Sequence, residues 1–355
     1  MDEALEAVIS ADADDDEVEQ VILHNIFGVV ENFPVGAAED RFNLDNMMAE
    51  DIKINFRFER DDIFRLAAAL HIPDVIRTQT RNSVPGVMGL CILLRRLAYP
   101  GRLKDLQLLF GLSPQSLSQI INHMQNLIAN NFMHLLDDLR NLPWLNLQRM
   151  HMYADAIHGR GAAISNCWGF IDGTARPICR PSIHQEEYYS GHKRFHCVKY
   201  QSVICPDGMI TSLKGAYVGR RHDAGIFRES NLYAELQDVA VFPDHRFILY
   251  GDHAYPIMDL LLCPFPNRQG IPIYQQHFNE SMSAVRIAVE WGFQKVTSQF
   301  AFLDFRKNQK LLLQDIESMY KVGILLSNCH TTLYGSQTNQ FFHLVPPVLE
   351  EYLGN

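Results

Sequence analysis

Three acidic residues in this sequence stand where carboxylates could share hard divalent cations. Asp172 ends an apolar run in Phe170-Ile-Asp-Gly-Thr174, and Asp252 ends another in Ile248-Leu-Tyr-Gly-Asp-His-Ala-Tyr255. Glu290 lies inside Val285-Arg-Ile-Ala-Val-Glu-Trp-Gly-Phe293, on or beside what reads as a buried face. Two carboxylates brought side by side repel, and one takes up a proton unless a cation lies between them. Mg²⁺ and Mn²⁺ prefer oxygen donors and suit one or two carboxylates plus a phosphate. A set of two aspartates and a glutamate can hold two ions ~3.5–4 Å apart, the arrangement for in-line attack on a phosphodiester.

Each residue also has a plain structural reading. Asp172-Gly173 is a turn dipeptide, and Glu290 can pair with Arg286 one helical turn before it. A fourth acid, Asp223 in Arg220-Arg-His-Asp-Ala-Gly-Ile-Phe227, is well placed as a helix N-cap. The case for chemistry rests on the acids meeting in one fold.

The texture of the chain supplies the elements to bring them together. From Trp168 onward, short β-rich runs predict strands at Trp168–Asp172, Cys197–Cys205, Met209–Val218 and Phe247–Tyr250. Pro206-Asp-Gly208 predicts the turn of a hairpin, and His222–Leu236 a helix. Long helices are expected at Ser281–Phe300 and Leu311–Leu326, with a strand near Phe300–Asp304 between them. This order suits a mixed sheet with a three-stranded antiparallel meander and the fourth strand parallel beside the first. The carboxyl ends of those two strands would lie side by side, where open sheets place their ligands.

Residues 58–150 read as helical. Ile63, Leu66, Ala67 and Leu70 keep helical spacing, and Ser83-Val-Pro-Gly86 should start a helix over Val87–Leu97. Leu103–Phe110, Gly111 and the Ser113-Pro114 start of the next helix follow helix-turn-helix grammar. In such a unit the second helix enters the major groove, and Gln115, Ser116, Ser118 and Gln119 would face the bases. An ordinary helical hairpin fits the same pattern, and no Lys or Arg occurs from Pro114 to Asn131.

Charge divides the chain. The net charge is −10, but the first 40 residues hold 12 acidic residues and no Lys or Arg, which leaves 31 basic against 29 acidic in the rest. The first 20 residues read as a solvated acidic tail. Within Arg176–Arg221, eight Lys and Arg face three Asp and Glu. Lys193, Arg194 and Lys199, interleaved with Tyr189 and Phe195, can neutralise nucleic-acid phosphates, and Arg220 and Arg221 would face the same groove. The bland alternative is a solvated loop before a strand. Seven scattered cysteines without a C-x-x-C pair argue against a zinc knuckle or disulfide framework and suit a reducing compartment, cytosol or nucleus. No apolar run is long enough to span a membrane, and the Met-Asp-Glu start lacks the basic region of a secretory signal.

Five motifs in series resemble the transposases of the PIF/Harbinger superfamily and their host-domesticated relatives. They are Gly169-Phe-Ile-Asp-Gly-Thr174, the stretch Tyr189–Gln201, Arg221-His-Asp-Ala-Gly-Ile-Phe227, Gly251-Asp-His-Ala-Tyr-Pro256, and Phe278-Asn279 through Arg286–Phe293. The resemblance implies an α/β fold with a ribonuclease-H-like mixed sheet flanked by helices, preceded by an all-α helix-turn-helix region. It divides the chain into an acidic tail and lead-in (residues 1–57), a helical region (58–150), a DDE nuclease domain (151–330) and a C-terminal extension (331–355). It makes Asp172, Asp252 and Glu290 the catalytic acids and Asp223 a further metal ligand. The family's usual small residue after the second aspartate is His253 here.

The function so implied is a Mg²⁺- or Mn²⁺-dependent endonuclease that cuts double-stranded DNA, with strand transfer by the freed 3′-OH. A separate Myb-like DNA-binding protein and self-association are the partners the resemblance implies, and nuclear residence follows from the substrate. Two rivals remain open. One is a non-catalytic, domesticated DNA-binding or adaptor protein that keeps the fold. The other is an RNA-directed nuclease.

Overall fold

A computed structural model describes residues 42–78, 82–266, 270–311 and 313–354. Most of the acidic lead-in therefore lies outside the described residues. Two short helices come first, α1 (Ala49–Phe56) and α2 (Arg60–Ala69). Strands β1 (Val75–Arg77) and β2 (Ser83–Pro85) form a small antiparallel pair. The Ser83-Val-Pro segment expected to start a helix thus runs extended first, because Pro85 holds an extended backbone and the helix begins one residue later. That helix, α3 (Gly86–Ala98), is buried on most sides, as its continuous apolar run requires.

Helices α4 (Leu103–Phe110) and α5 (Pro114–Phe132) follow. Gly111 ends α4 at φ 69°. The Ser113 hydroxyl accepts from Ser116 N at 3.1 Å, and Pro114 occupies the first turn of α5, where its missing N–H costs nothing. A short helix α6 (His134–Asp137) and helix α7 (Leu147–Gly159) lead into the sheet.

Strand β3 (Cys167–Pro177) is the centre of that sheet. After α8 (Gln185–Tyr188) come β4 (Tyr189–Ser190), β5 (Phe195–Ile204) and β6 (Ile210–Val218). Then follow α9 (Asp223–Glu229), α10 (Leu232–Val239), β7 (Ile248–Tyr250) and β8 (Leu261–Leu262). β5 pairs antiparallel with both β3 and β6, which is the expected meander, while β7 runs parallel to β3 on its other edge and β8 parallel to β7. The mixed sheet flanked by helices agrees with a ribonuclease-H-like fold.

The last part comprises α11 (Ile273–Arg286), α12 (Ala288–Gln299), α13 (Ile316–Tyr334), α14 (Gln337–Phe342) and α15 (Leu349–Leu353). Several boundaries differ from the sequence expectation, each for a local reason. The helix expected at His222–Leu236 is two, because Asn231 takes φ 57° between them. The one expected at Ser281–Phe300 begins earlier, after Pro272, and divides at Ile287. The strand expected near Phe300–Asp304 is a 3₁₀ turn. α13 starts at Ile316 rather than Leu311 because Asp315 caps it, accepting from Ser318 N at 3.0 Å.

One apolar cluster joins all of this, from Leu44 to Leu353. Ile52 and Phe56 of α1 belong to it, and so does Tyr352, whose hydroxyl accepts from Asn328 Nδ2 at 2.9 Å. Among the described residues, no helix is long and apolar enough to cross a membrane. All seven cysteines are free.

Candidate active site

The parallel seam of the sheet positions the two principal acids. Phe170 on β3 is the register partner of Tyr250 on β7, so Asp172 and Asp252 each lie two residues past a matched pair. Gly251 permits the close approach: a Cβ there would stand 2.9 Å from both Ile171 Cγ2 and Tyr255 Cδ2. Asp252 then turns the chain, its Oδ1 accepting from Ala254 N at 2.9 Å.

Asp223 comes to the same place from the first turn of α9. A Cβ on Gly173, the residue after Asp172, would meet Asp223 Oδ1 at 2.8 Å. Lys199 of β5 reaches toward it, with Nζ 3.9 Å from that oxygen while donating to Arg221 O at 2.6 Å. The bland N-cap role does not hold, because His222 is the capping position and Asp223 is the first residue inside the helix.

Burial pushes the Asp172 carboxyl up to about 6; Arg286 opposes this, and the charges of Asp252 and Asp223 add to it. Asp172 therefore feels both other aspartates. Its direct partner is Arg286, whose Nη2 lies 3.0 Å from Asp172 Oδ1, both side chains being about one-fifth exposed. Arg286 Nε is buried without a hydrogen-bond partner. The pairing of Arg286 with Glu290 considered from the sequence gives way to this one.

Glu290 is placed differently from the expectation of a buried face. The buried stripe of α12 is Ala288, Val289, Gly292 and Val296, and Glu290 points away from it, exposed. Asp252 and Asp223 thus act on Asp172, while Glu290 is exposed on α12.

The cluster also contains a residue that the spacing of acids did not flag. Tyr255 is 5% exposed, its hydroxyl has no hydrogen-bond partner, and its acidity is suppressed first by burial and then by the charges of Asp223, Asp172 and Asp252. The signal for Tyr255 was its place in the Gly251–Pro256 motif. For Arg286 it was its place one turn after buried Met282 on α11.

Among the described residues, no three His, Cys, Asp or Glu side chains converge tightly enough to form a ready metal-holding group. The donor chemistry nevertheless fits a hard divalent cation. Asp172 binds its proton more tightly there because of its burial and the charges of Asp252 and Asp223, a balance that a bound cation would reverse.

Four of the five basic residues expected to face DNA are exposed. Lys193 and Arg194 are exposed in the turn between β4 and β5, with Arg194 at φ 61°. Arg220 and Arg221 are exposed just before α9, and Arg221 Nη2 pairs with Glu229 at 2.8 Å. Lys199 is the member that reaches the acids.

The residues expected to read bases lie elsewhere, on the first turns of α5. Gln115 is exposed, whereas Ser116 Oγ donates to Asn82 Oδ1 at 3.0 Å and Gln119 Oε1 accepts from Asn82 Nδ2 at 2.6 Å. Ser118 lines a cavity of about 350 Å³ with Arg96 and Phe302.

Residues 171–328 match the model of a family described as DDE superfamily endonuclease. All four acids and Arg286 fall inside the matched span. No curated protein and no solved structure matches the chain. The match supports a DDE-type nuclease domain here, a class that acts on DNA and generally uses divalent metals.

Proposed function

We propose that this protein is a metal-dependent DNA endonuclease of the PIF/Harbinger transposase type. The observation that carries the proposal is the parallel pairing of β3 with β7, which sets Asp172 and Asp252 at equal offsets past Phe170 and Tyr250. Asp172 and Asp252 would hold Mg²⁺ or Mn²⁺, with Asp223 as a further ligand and Glu290 supplied from the exposed face of α12. The cations would polarise the phosphodiester and lower the pKa of an attacking water.

The protein's own groups do the rest. Arg286 balances the charge of Asp172 and exchanges that partner for the cation. Lys199 sits beside Asp223, where a DNA phosphate can approach. Lys193, Arg194, Arg220 and Arg221 neutralise the flanking backbone and fix its register without reading sequence. Gln115, on the exposed start of α5, is the best placed of the four proposed base-reading residues. Ser116, Ser118 and Gln119 would follow once Asn82 and the cavity wall release them.

Strand transfer by the freed 3′-OH, a Myb-like DNA-binding partner, self-association and residence in the nucleus, with cytoplasm as a second location, complete the proposal. The test is cleavage of terminal inverted-repeat DNA by purified protein with Mg²⁺ or Mn²⁺. Wild type should cut, and Asp172→Asn, Asp252→Asn and Glu290→Gln should each lower kcat by at least about a hundredfold, the loss expected when transition-state charge stabilisation is removed. Cutting by Asp252→Asn at the wild-type rate would remove the assignment of the site.

The exposed position of Glu290 favours one second reading, a non-catalytic DNA-binding protein that keeps the fold. It predicts DNA binding without cleavage and no measurable binding of Mn²⁺.

A further inference from the structure

The ring of Tyr99 carries two cations. The guanidinium carbon of Arg57 lies 4.6 Å from the ring centroid and that of Arg95 4.3 Å. Arg57 caps α1, Arg95 lies in the last turn of α3, and Tyr99 follows α3 directly. The Tyr99 hydroxyl donates to Ile54 O at 3.2 Å, which ties the two helix ends together. All three residues are half-buried, so the group is part of the surface.

Part of this arrangement serves the fold. Arg57 Nε donates to Gln299 O at 3.1 Å, at the end of α12, and Nη1 to Ile54 O at 3.2 Å. Helix C-termini favour such cations. Those bonds do not account for a second guanidinium on the same ring. Burial lowers the pKa of Arg95, and the charge of Arg57 adds to this while Tyr99 and Asp105 oppose it. Among the described residues, no carboxylate forms an ion pair with either arginine. Asp105 is engaged instead with Arg102 N, at 2.9 Å. Arg57 also holds φ 69°, where a glycine would end the helix with less strain.

Two cations on one ring lack an anion, and arginine suits phosphate because its planar fork can donate two hydrogen bonds while stacking on an aromatic face. Helix α5, the element expected to enter a DNA groove, carries no Lys or Arg and so offers the backbone no charge. Gln299, which Arg57 holds, is nine residues after Glu290 on α12. At about 1.5 Å per residue this is roughly 14 Å along the helix axis, or about four phosphates along one DNA strand. One duplex is long enough to touch both places.

We propose that Arg57 and Arg95, aligned on the ring of Tyr99, form a contact site for phosphates of the DNA backbone and supply the helical region with the charge that α5 lacks. This rests on the reading of the chain as a protein that acts on DNA. The site grips any sequence equally, because phosphates carry no base information.

The experiment is fluorescence anisotropy of the full-length protein on two duplexes, one of terminal-repeat and one of unrelated sequence, over a salt series without divalent metal. Wild type is compared with Arg57→Gln, Arg95→Gln, the double glutamine variant and the double lysine variant, with thermal melts of each. Each glutamine should reduce the slope of log K against log salt by about one, and the pair by about two, equally on both duplexes. The double lysine variant keeps both charges and should keep the slope. Arg95→Gln should melt close to wild type, because it relieves the repulsion from Arg57. If the double glutamine variant fails to fold, the single variants decide. An unchanged slope in folded glutamine variants would overturn the inference and leave the nuclease reading intact. So would an equal loss in the lysine variant, which would assign the arginines to the fold, or a rise in DNA affinity on neutralising them, which would mean that they hold acids of this chain. Absence of DNA binding by wild type would overturn the DNA reading, and this site with it.

Discussion

Arg286 Nη2 stands 3.0 Å from Asp172 Oδ1, so the carboxylate that ends the first half of the parallel seam is neutralised from the last turn of α11. A guanidinium and a divalent cation both answer the same excess of negative charge. Arg286→Met should leave Asp172 uncompensated and destabilise the protein by about 2 kcal/mol, less than the cost of breaking a fully buried pair because both groups are partly solvated. Mn²⁺ should then raise the urea midpoint of Arg286→Met more than that of wild type. Equal shifts in the two proteins would show that Arg286 and the cation do not share Asp172.

Gly173 is close to Asp223 on the open side of β3, where a Cβ would come within 2.8 Å of Asp223 Oδ1. Gly173→Ala should displace that carboxylate while leaving the sheet intact. We expect a loss of about tenfold or more in kcat, since small misplacements in a reacting site are costly, with a melting temperature within a few degrees of wild type. Unchanged kcat with normal folding would remove Asp223 from the site.

Lys193 and Arg194 are exposed at the β4–β5 turn. If they contact the DNA backbone, the double alanine variant should bind all DNA sequences more weakly. Each lost phosphate contact should reduce the slope of log K against log salt by about one. An unchanged slope would place the DNA on another face.

Lys295 is a pH probe remote from the acids. Its ammonium donates to Thr331 Oγ1 and Gly335 O, both at 2.7 Å, and burial lowers its pKa from 10.5 to about 7. Between those values the unfolded chain binds the proton and the folded chain releases it, so stability rises with pH across that window. His330 nearby is held neutral down to about 3 by burial, and so does not titrate in the same range. Urea unfolding should show wild type more stable at pH 9 than at pH 7 by something of order 2 kcal/mol, and Lys295→Met should abolish the difference. A slope retained in the variant would assign it to other groups.

The frame that carries the aspartates was legible because strand periodicity and turn residues are local signals. The meander, the hairpin turn at Pro206–Gly208 and the parallel return of β7 all follow from them. Asp172 and Asp252 could be paired from the sequence since each follows an apolar run by the same logic. Arg286 and Glu290 were harder. On an uninterrupted helix the two would share a face, but the helix divides at Ile287, Arg286 turns to Asp172, and the buried stripe of α12 excludes Glu290. Tyr255 escaped because a buried aromatic residue reads as core until its unpaired hydroxyl is located among charges. The interior side of Ser116 and Gln119 was equally hidden, since their partner Asn82 lies more than 30 residues away in the chain.

The apolar cluster running from Leu44 to Leu353 has a consequence for how the molecule can fail. Arg65 of α2 grips Glu350 of α15 through two hydrogen bonds of 2.7 and 2.6 Å, and Tyr334 accepts from Glu59 N at 2.8 Å. Helices α2 and α15 thus brace one another although 285 residues separate the paired side chains. Loss of either helix would leave the charge of Arg65 or Glu350 without this partner.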